Sequence, residues 1–135
     1  MPAAASNRLE LLTEQDVVRA RQVVRKLAQD NGFSLVEQTK LVTASSELAR
    51  NTLIHGGGGY MELDVLQEGD GRSGIRLRFV DEGPGIPDMK LALTDGWTSG
   101  TGLGLGLSGS RRLASEFDIQ SAPGQGTRVT IVRWK

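Results

Sequence analysis

Hydrophobic residues recur at the spacing of an amphipathic helix in two long segments of the first half of the chain. The first helix is predicted to begin after Thr13, which forms a capping box with Asp16, and to end near residue 31. The second is predicted to begin after Ser34, with Glu37 completing another capping box, and to end at a run of four glycines. The positions expected to face the core are Val17, Ala20, Val24, Leu27 and Ala28 in the first helix and Leu41, Ser45, Leu48 and Thr52 in the second.

Shorter segments show the alternation of polar and apolar residues that is typical of strands. Residues 105–116 are predicted to form a third helix. It follows a long glycine-bearing loop over residues 81–104, which holds a short helical pattern at residues 88–93. The predicted strands cover residues 8–12, 60–67, 75–80, 117–121 and 127–134.

The order of these elements determines the fold class. Strand, helix, helix, two strands, long loop, helix and two strands do not form the regular alternation of a doubly wound parallel sheet. The order predicts an α+β fold, a two-layer α/β sandwich with the helices on one face of a mixed, mainly antiparallel sheet. At 135 residues the chain is expected to form one domain over 1–135, with residues 1–6 frayed. So long a loop inside a compact domain favours a functional lid, placed at about residues 88–101.

Composition narrows the range of partners. Lysine plus arginine balance aspartate plus glutamate at 16 each, so we expect no nucleic acid and no anionic membrane surface as a partner. The first residues lack the apolar core of a signal peptide, and no segment approaches the length of a membrane span. There are no cysteines, which excludes disulfides and is in keeping with a reducing compartment. These features predict a cytoplasmic protein.

Glu47 and Asn51 lie one helical turn apart, beside the inward stripe of the second helix, so their side chains share one face. An amide oxygen suits magnesium, which takes few protein ligands and completes its shell with water and phosphate oxygens. A carboxylate one turn away can accept a proton from a hydroxyl nucleophile. A solvated helix face is the commoner reason for such a pair, so the pair alone leaves both interpretations open.

The segment Asp81-Glu82-Gly83-Pro84-Gly85 follows directly on a predicted strand. A carboxylate only accepts hydrogen bonds, so Asp81 could select the exocyclic amine of adenine over the oxygen of guanine. The glycines would let a ligand pass close to the backbone. The same residues are also suited to a tight turn, and on this segment alone the two interpretations are balanced.

Gly102, Gly104 and Gly106 interleave with Leu103 and Leu105 just before the third helix. Free backbone amides at a helix start bind phosphate, and glycine removes the side chains that would keep a phosphate away. This segment therefore predicts a phosphate-binding turn.

Other nucleotide and metal sites are disfavoured. Residues 104–109 match GxGxxG, but the dinucleotide-binding pattern requires a strand directly before it, and here a loop precedes it. The chain has neither GxxxxGKS nor GxxxxGKT, and it lacks the motifs of eukaryotic-type protein kinases. His55 is the only histidine, so a histidine-ligated metal cluster is excluded. Its place near a helix end favours a charge–dipole contact or a cap.

Taken together and in order, these motifs resemble the N, G1 and G2 boxes of the GHKL superfamily, which groups gyrase, Hsp90, histidine kinases and MutL in a Bergerat-type fold. The motifs are Glu47-x-x-x-Asn51, Asp81-x-Gly83-x-Gly85, Gly102-x-Gly104-x-Gly106 and, before the last strand, Gly126-Thr127. Within that superfamily the chain looks most like the anti-sigma-factor serine kinases, and the resemblance extends over nearly the whole chain. The segments that carry this narrower likeness are Ser45 to Asn51, Asp95-Gly96, Gly104 to Leu107 and Arg112-Leu113.

The resemblance implies a role for each matching residue, with ATP and Mg2+ as the bound groups. Glu47 would be the general base, Asn51 the magnesium ligand and Asp81 the adenine reader, with Thr127 as a further adenine-side contact. The predicted lid would order over the triphosphate. The residues expected to contact the nucleotide are Asn51, Asp81, Gly83, Gly85, Gly102, Gly104, Leu105, Gly106 and Thr127.

The activity that the resemblance implies is that of a protein serine/threonine kinase acting as a switch in stressosome-type, partner-switching stress signalling. Its substrate would be a STAS-domain protein, and a PP2C-type phosphatase or a sigma-factor regulator would be a further partner. An alternative is a binding module gated by ATP and ADP, with little or no kinase activity. The catalytic half of a histidine kinase is a weaker alternative, because the chain has no separate helix bearing a phospho-acceptor histidine.

Overall fold

The computed structural model describes residues 7–69, 71–85 and 107–135, with side chains in the last range from residue 109 onward. Within these ranges the chain forms five strands and three helices. The strands are β1 (Asn7–Leu11), β2 (Gly59–Gln67), β3 (Ser73–Asp81), β4 (Glu116–Ser121) and β5 (Thr127–Trp134), and the helices are α1 (Glu14–Asp30), α2 (Leu35–Ile54) and α3 (Leu107–Leu113).

The strands form one sheet in the order β1-β2-β3-β5-β4, and all four neighbouring pairs are antiparallel. The helices pack on one face of this sheet, which confirms the predicted α+β sandwich. The prediction was a mixed, mainly antiparallel sheet, whereas all of the described strand pairings are antiparallel. β3 and β5 are neighbours at the centre, and their register places Asp81 beside Thr127.

Both predicted capping boxes start the helices that they were expected to start. Thr13 Oγ1 accepts a hydrogen bond from the Asp16 backbone N–H at 3.2 Å, and Ser34 Oγ accepts one from the Glu37 N–H at 3.2 Å. Each acidic side chain bonds back to the backbone N–H of its capping residue. These bonds satisfy donors that the first turn of a helix otherwise leaves unpaired.

The hydrophobic core lies between the helices and the inward face of the sheet. Every position predicted to face inward is buried, except Leu27, which is partly buried. Alternate strand residues complete the core because successive side chains of a strand point to opposite faces. Those strand residues are Met61, Leu63, Ile75, Leu77, Phe79, Val129 and Ile131.

The predicted carboxyl end of the third helix is wrong. The helix was expected to reach Glu116, but it ends at Leu113, and Glu116 begins β4. The Ser115 backbone N–H donates to the carbonyl oxygen of Val132 at 2.8 Å, and Ser115 Oγ accepts from the Trp134 N–H at 3.0 Å. Because Ser115 bonds to β5, the chain leaves the helix after Leu113 and does not form another helical turn.

Three expectations fall outside the described residues. They are the frayed segment 1–6, the short helical pattern at 88–93 and the lid at 88–101. Among the helices of the described ranges, none is long and apolar enough to cross a bilayer.

Candidate functional site

The end of α2 and the ends of β3 and β5 enclose one cavity. Asn51 reaches it from the last turns of α2, and Asp81 and Thr127 reach it as cross-strand neighbours. Gly85, in the turn that follows β3, also lines it. The structure thus brings together four residues that the sequence predicted to share a site. The full lining is Leu48, Asn51, Thr52, His55, Gly56, Phe79, Asp81, Gly85, Thr127 and Val129.

Asp81 is the last residue of β3, one position further along the strand than predicted. Its Oδ1 accepts a hydrogen bond from the Gly83 backbone N–H at 2.9 Å. Burial raises the pKa of the Asp81 carboxyl group, while hydrogen bonds from the backbone of Gly83 and Thr127, and the proximity of His55, act in the opposite direction. The Gly83 N–H therefore fixes the side chain as a half-buried hydrogen-bond acceptor on the wall of the cavity.

Glycines around Asp81 allow three backbone segments to meet. A Cβ at Gly56 would collide with the Asp81 carboxyl group, and one at Gly83 would lie 2.7 Å from the backbone of Gly56. Gly85 has a φ of +78°, in the left-handed region, and a Cβ there would collide with the carbonyl oxygen of Ala122. Gly83 and Gly85 thus have a packing role in the turn, and Gly85 also lines the cavity.

The amide nitrogen of Asn51 is available to a ligand. Its Nδ2 is buried and has no hydrogen-bond partner among the described residues. Leaving such a group unpaired costs roughly 1–3 kcal/mol, which a ligand in the cavity could offset. A single amide oxygen is a small ligand set, and it fits a metal such as magnesium, which takes most of its ligands from water and phosphate.

Glu47 lies one turn before Asn51, but it does not line the cavity. Its side chain is exposed on the outer surface of α2. Helical spacing puts it about 6 Å along the axis from Asn51. A carboxylate at this place can act only on a group that approaches from outside the cavity.

His55 is a cavity residue that the sequence analysis did not identify. It forms the predicted cap, because its backbone N–H donates to the Asn51 carbonyl oxygen at 2.9 Å, but its ring also lines the cavity. Its Nε2 is buried without a partner among the described residues. Burial lowers the pKa of His55, and Asp81 partly counters this effect. The signal was its position four residues after Asn51, which puts both side chains on one face of α2.

The lowered pKa of His55 predicts a pH-dependent stability. The unfolded chain binds this proton near the ordinary value of 6.5, whereas the folded chain resists it. The stabilisation is therefore fully present above that pH and is lost as the pH falls through the pKa of the folded state. We expect the free energy of unfolding to decrease between pH about 7.5 and about 5, and to decrease less in His55→Gln. Urea unfolding at both pH values checks this, and equal pH slopes in the two proteins would contradict it.

The expected phosphate-binding residues Gly102, Gly104, Leu105 and Gly106 lie outside the described residues. The helix that follows them, α3, contacts both α2 and β5. Ser110 Oγ donates to the Ala44 carbonyl oxygen of α2 at 3.5 Å, and Arg133 Nη1 donates to the Leu113 carbonyl oxygen at 3.1 Å.

Comparisons with a family model and with known proteins agree on one family. Residues 36–135 match the model of the histidine kinase-, DNA gyrase B- and HSP90-like ATPases. The chain is 39% identical over 126 residues to the serine/threonine-protein kinase RsbT of Bacillus subtilis (strain 168), covering 93% of this chain and 94% of that protein. It is 27% identical over 118 residues to the anti-sigma F factor of Thermoanaerobacter sp. (strain X514), covering 85% and 82%.

Solved structures agree on the fold. The structure of the RsbU and RsbW domains of Rv1364c from Mycobacterium tuberculosis matches with a TM-score of 0.62 and 20% identity, over 98% of this chain and 33% of that one. This chain therefore spans about a third of that larger protein. The SiaB–SiaC complex from Pseudomonas aeruginosa contains a chain that matches with a TM-score of 0.55 and 14% identity, over 98% and 91%. At these identities the likeness concerns the fold alone.

Proposed function

The chain belongs to the family of histidine kinase-, DNA gyrase B- and HSP90-like ATPases, and we propose from this premise that its cavity binds ATP with Mg2+ for transfer of a phosphoryl group to a protein serine or threonine. The observation that carries the proposal is the convergence of Asn51, Asp81 and Thr127 on one cavity. An amide oxygen, a half-buried carboxylate acceptor and a hydroxyl group thus meet where one helix and two strands end.

The adenine ring would occupy the inner part of this cavity. Leu48, Phe79 and Val129 supply apolar walls for a flat ring, and the Asp81 carboxyl group lies beside them. Asp81 would accept a hydrogen bond from the exocyclic amine, and Thr127 would make a further polar contact on the same side. A guanine ring would present an oxygen to Asp81 instead, so the cavity favours ATP over GTP.

The triphosphate would run from the adenine towards Asn51. The Asn51 amide oxygen would hold a magnesium ion, which neutralises phosphate charge when bound. The glycine segment at residues 102–106 would supply backbone N–H groups to the phosphates. The residues at 88–101 would close over them.

Glu47 would act on the acceptor protein rather than on the nucleotide. Its exposed carboxylate would accept the proton of a serine or threonine hydroxyl as that oxygen attacks the terminal phosphorus. The bond between the terminal phosphorus and the bridging oxygen breaks, and ADP leaves. Exposure of Glu47 suits this role, since a protein substrate must reach it from solvent.

We propose a STAS-domain protein as the substrate, in a partner-switching pathway in the cytoplasm, and a PP2C-type phosphatase or a sigma-factor regulator as a further partner. The 39% identity with a serine/threonine-protein kinase over nearly the full length supports the kinase activity. Incubation with radiolabelled ATP and the cognate STAS-domain protein tests it. Label on a serine or threonine is expected, and its absence with nucleotide binding intact would defeat the proposal.

A second candidate function is a protein-binding module gated by ATP and ADP, in which catalysis is slow. The likeness to an anti-sigma F factor and the position of Glu47 outside the cavity favour it. The two functions differ in whether the Glu47 carboxylate is needed.

Asp81→Asn is expected to weaken ATP binding by about 1–3 kcal/mol, because the substitution adds a donor where the adenine amine needs an acceptor. Calorimetric titration with ATP measures this loss. Glu82→Gln is the matched control, since Glu82 is the exposed neighbour of Asp81 and should leave the affinity unchanged. If Asp81→Asn loses much less binding free energy than this range, Asp81 has only a structural role in the turn.

A further inference from the structure

The outer surface of α2 carries an exposed stripe that passes through Glu47. Six residues recur at intervals of four, three, four, three and four, so they lie along one side of the helix. All six are exposed, including two large apolar side chains, Val36 at 63% and Ile54 at 39%. We call these residues the α2 stripe: Val36, Lys40, Thr43, Glu47, Arg50 and Ile54.

Neighbouring helices flank the α2 stripe without covering it in the described part of the chain. On one side, Arg50 reaches Glu14 of α1 at 3.8 Å, a contact between two exposed side chains. On the other side, α3 packs against α2 through Ser110 and Ala44, the same side on which Asn51 enters the cavity. No other described residue covers the stripe, which runs beside the proposed nucleotide site.

The charges on the stripe favour an acidic partner. Lys40 lies about 10 Å before Glu47 along the helix axis, and Arg50 about 5 Å after it. No described residue forms an ion pair with Lys40, and the Arg50 contact to Glu14 is long and solvent-exposed, so it holds the guanidinium weakly. Two cations thus flank one carboxylate, with an exposed apolar residue at each end.

The position of Glu47 indicates which kind of protein would bind to the α2 stripe. An acceptor hydroxyl has to meet the Glu47 carboxylate and the terminal phosphate together, and Glu47 faces solvent on the stripe side of Asn51. A second copy of this chain is a poor occupant, because pairing two stripes would bring lysine and arginine against each other.

We propose that the α2 stripe is the docking surface for the acceptor protein, an inference that rests on the kinase activity proposed above. The acceptor presents carboxylates to Lys40 and Arg50, on either side of the serine or threonine that is phosphorylated. An apolar side chain of the acceptor packs against Val36. The stripe thereby selects hydroxyls that lie in an acidic surface and places them beside Glu47.

Two variants test the stripe away from the nucleotide site. Lys40→Glu reverses one flanking charge, and Val36→Asp removes one apolar end. Lys26→Glu is the matched control, because Lys26 is an exposed lysine on α1 outside the stripe. Each protein is titrated with ATP by calorimetry, then with the cognate STAS-domain protein in the presence of a non-hydrolysable ATP analogue. Steady-state transfer to that protein gives kcat and KM.

We expect Lys40→Glu and Val36→Asp to keep the ATP affinity and kcat of the parent, and to raise KM and the dissociation constant of the STAS-domain protein roughly tenfold or more. The Lys26→Glu control should behave as the parent. Changing an acidic residue near the phosphorylated site of the acceptor to lysine should restore binding to Lys40→Glu. Thermal unfolding measures whether each variant folds. If Val36→Asp does not fold, the result for Lys40→Glu decides the test.

The outcomes separate the two proposals. If the parent transfers phosphate and both variants match it, the docking inference is overturned and the kinase activity stands. If the parent binds ATP but neither binds nor labels the STAS-domain protein, the proposed function fails and the inference fails with it. If the parent is a dimer that Val36→Asp dissociates while transfer is unaffected, the stripe is an interface between copies and the inference is wrong.

Discussion

Asn51→Ala is expected to abolish magnesium-dependent ATP binding. Asn51 lines the described cavity, and we assign its amide oxygen to the metal. Loss of an outer-shell partner of a metal ligand already costs about 10- to 100-fold in affinity, so loss of the ligand itself should exceed that range. Calorimetric titration with ATP, in the presence and in the absence of Mg2+, measures the effect.

Asn51→Asp is the matched control for this prediction. It keeps an oxygen at the same place and should retain metal-dependent binding, whereas the alanine variant should not. Thermal unfolding of both variants separates a binding defect from a folding defect. An ATP affinity of Asn51→Ala equal to that of the parent would refute the assignment of Asn51 to the metal.

Glu47→Gln is expected to lower phosphoryl transfer by about 10²- to 10⁴-fold, the usual contribution of a positioned general base. The affinity for ATP should stay unchanged, because Glu47 is exposed on α2 and does not line the cavity. Single-turnover transfer from radiolabelled ATP to the STAS-domain protein measures the chemical step.

The control for Glu47 is Glu68→Gln, the same change at an exposed carboxylate near the turn between β2 and β3. It should leave both transfer and ATP affinity as in the parent. Full signalling function in Glu47→Gln, with partner binding still dependent on ATP or ADP, would favour the nucleotide-gated binding module instead.

Local sequence patterns predicted most of the fold because the helices start from local interactions. Thr13 with Asp16 and Ser34 with Glu37 form capping boxes within three residues, and no distant contact is needed to identify them. The end of α3 depends instead on Ser115, which bonds to β5, a strand much later in the chain. A helical pattern contains no information about such long-range pairing.

Four residues that line the cavity could be named from the sequence, but the geometry that brings them together could not. Asp81 and Thr127 become neighbours through the register between β3 and β5, which joins distant segments of the chain. Glu47 and Asn51 lie one turn apart, yet only Asn51 lines the cavity, because residues four apart differ in direction by about 40° around the helix axis. For His55 the sequence predicted a charge–dipole contact or a cap, and its place at the helix end gave no sign that its ring also lines the cavity.

A crystal structure with Mg2+ and a non-hydrolysable ATP analogue would show whether the nucleotide occupies this cavity. We expect the adenine amine to donate to the Asp81 carboxyl group, the Asn51 amide oxygen to ligate the magnesium ion and Glu47 to stay on the solvent side of the terminal phosphate. A nucleotide bound elsewhere, for example in the cleft lined by Arg8, Gly57 and Tyr60, would contradict it. So would an Asn51 side chain turned away from the phosphates.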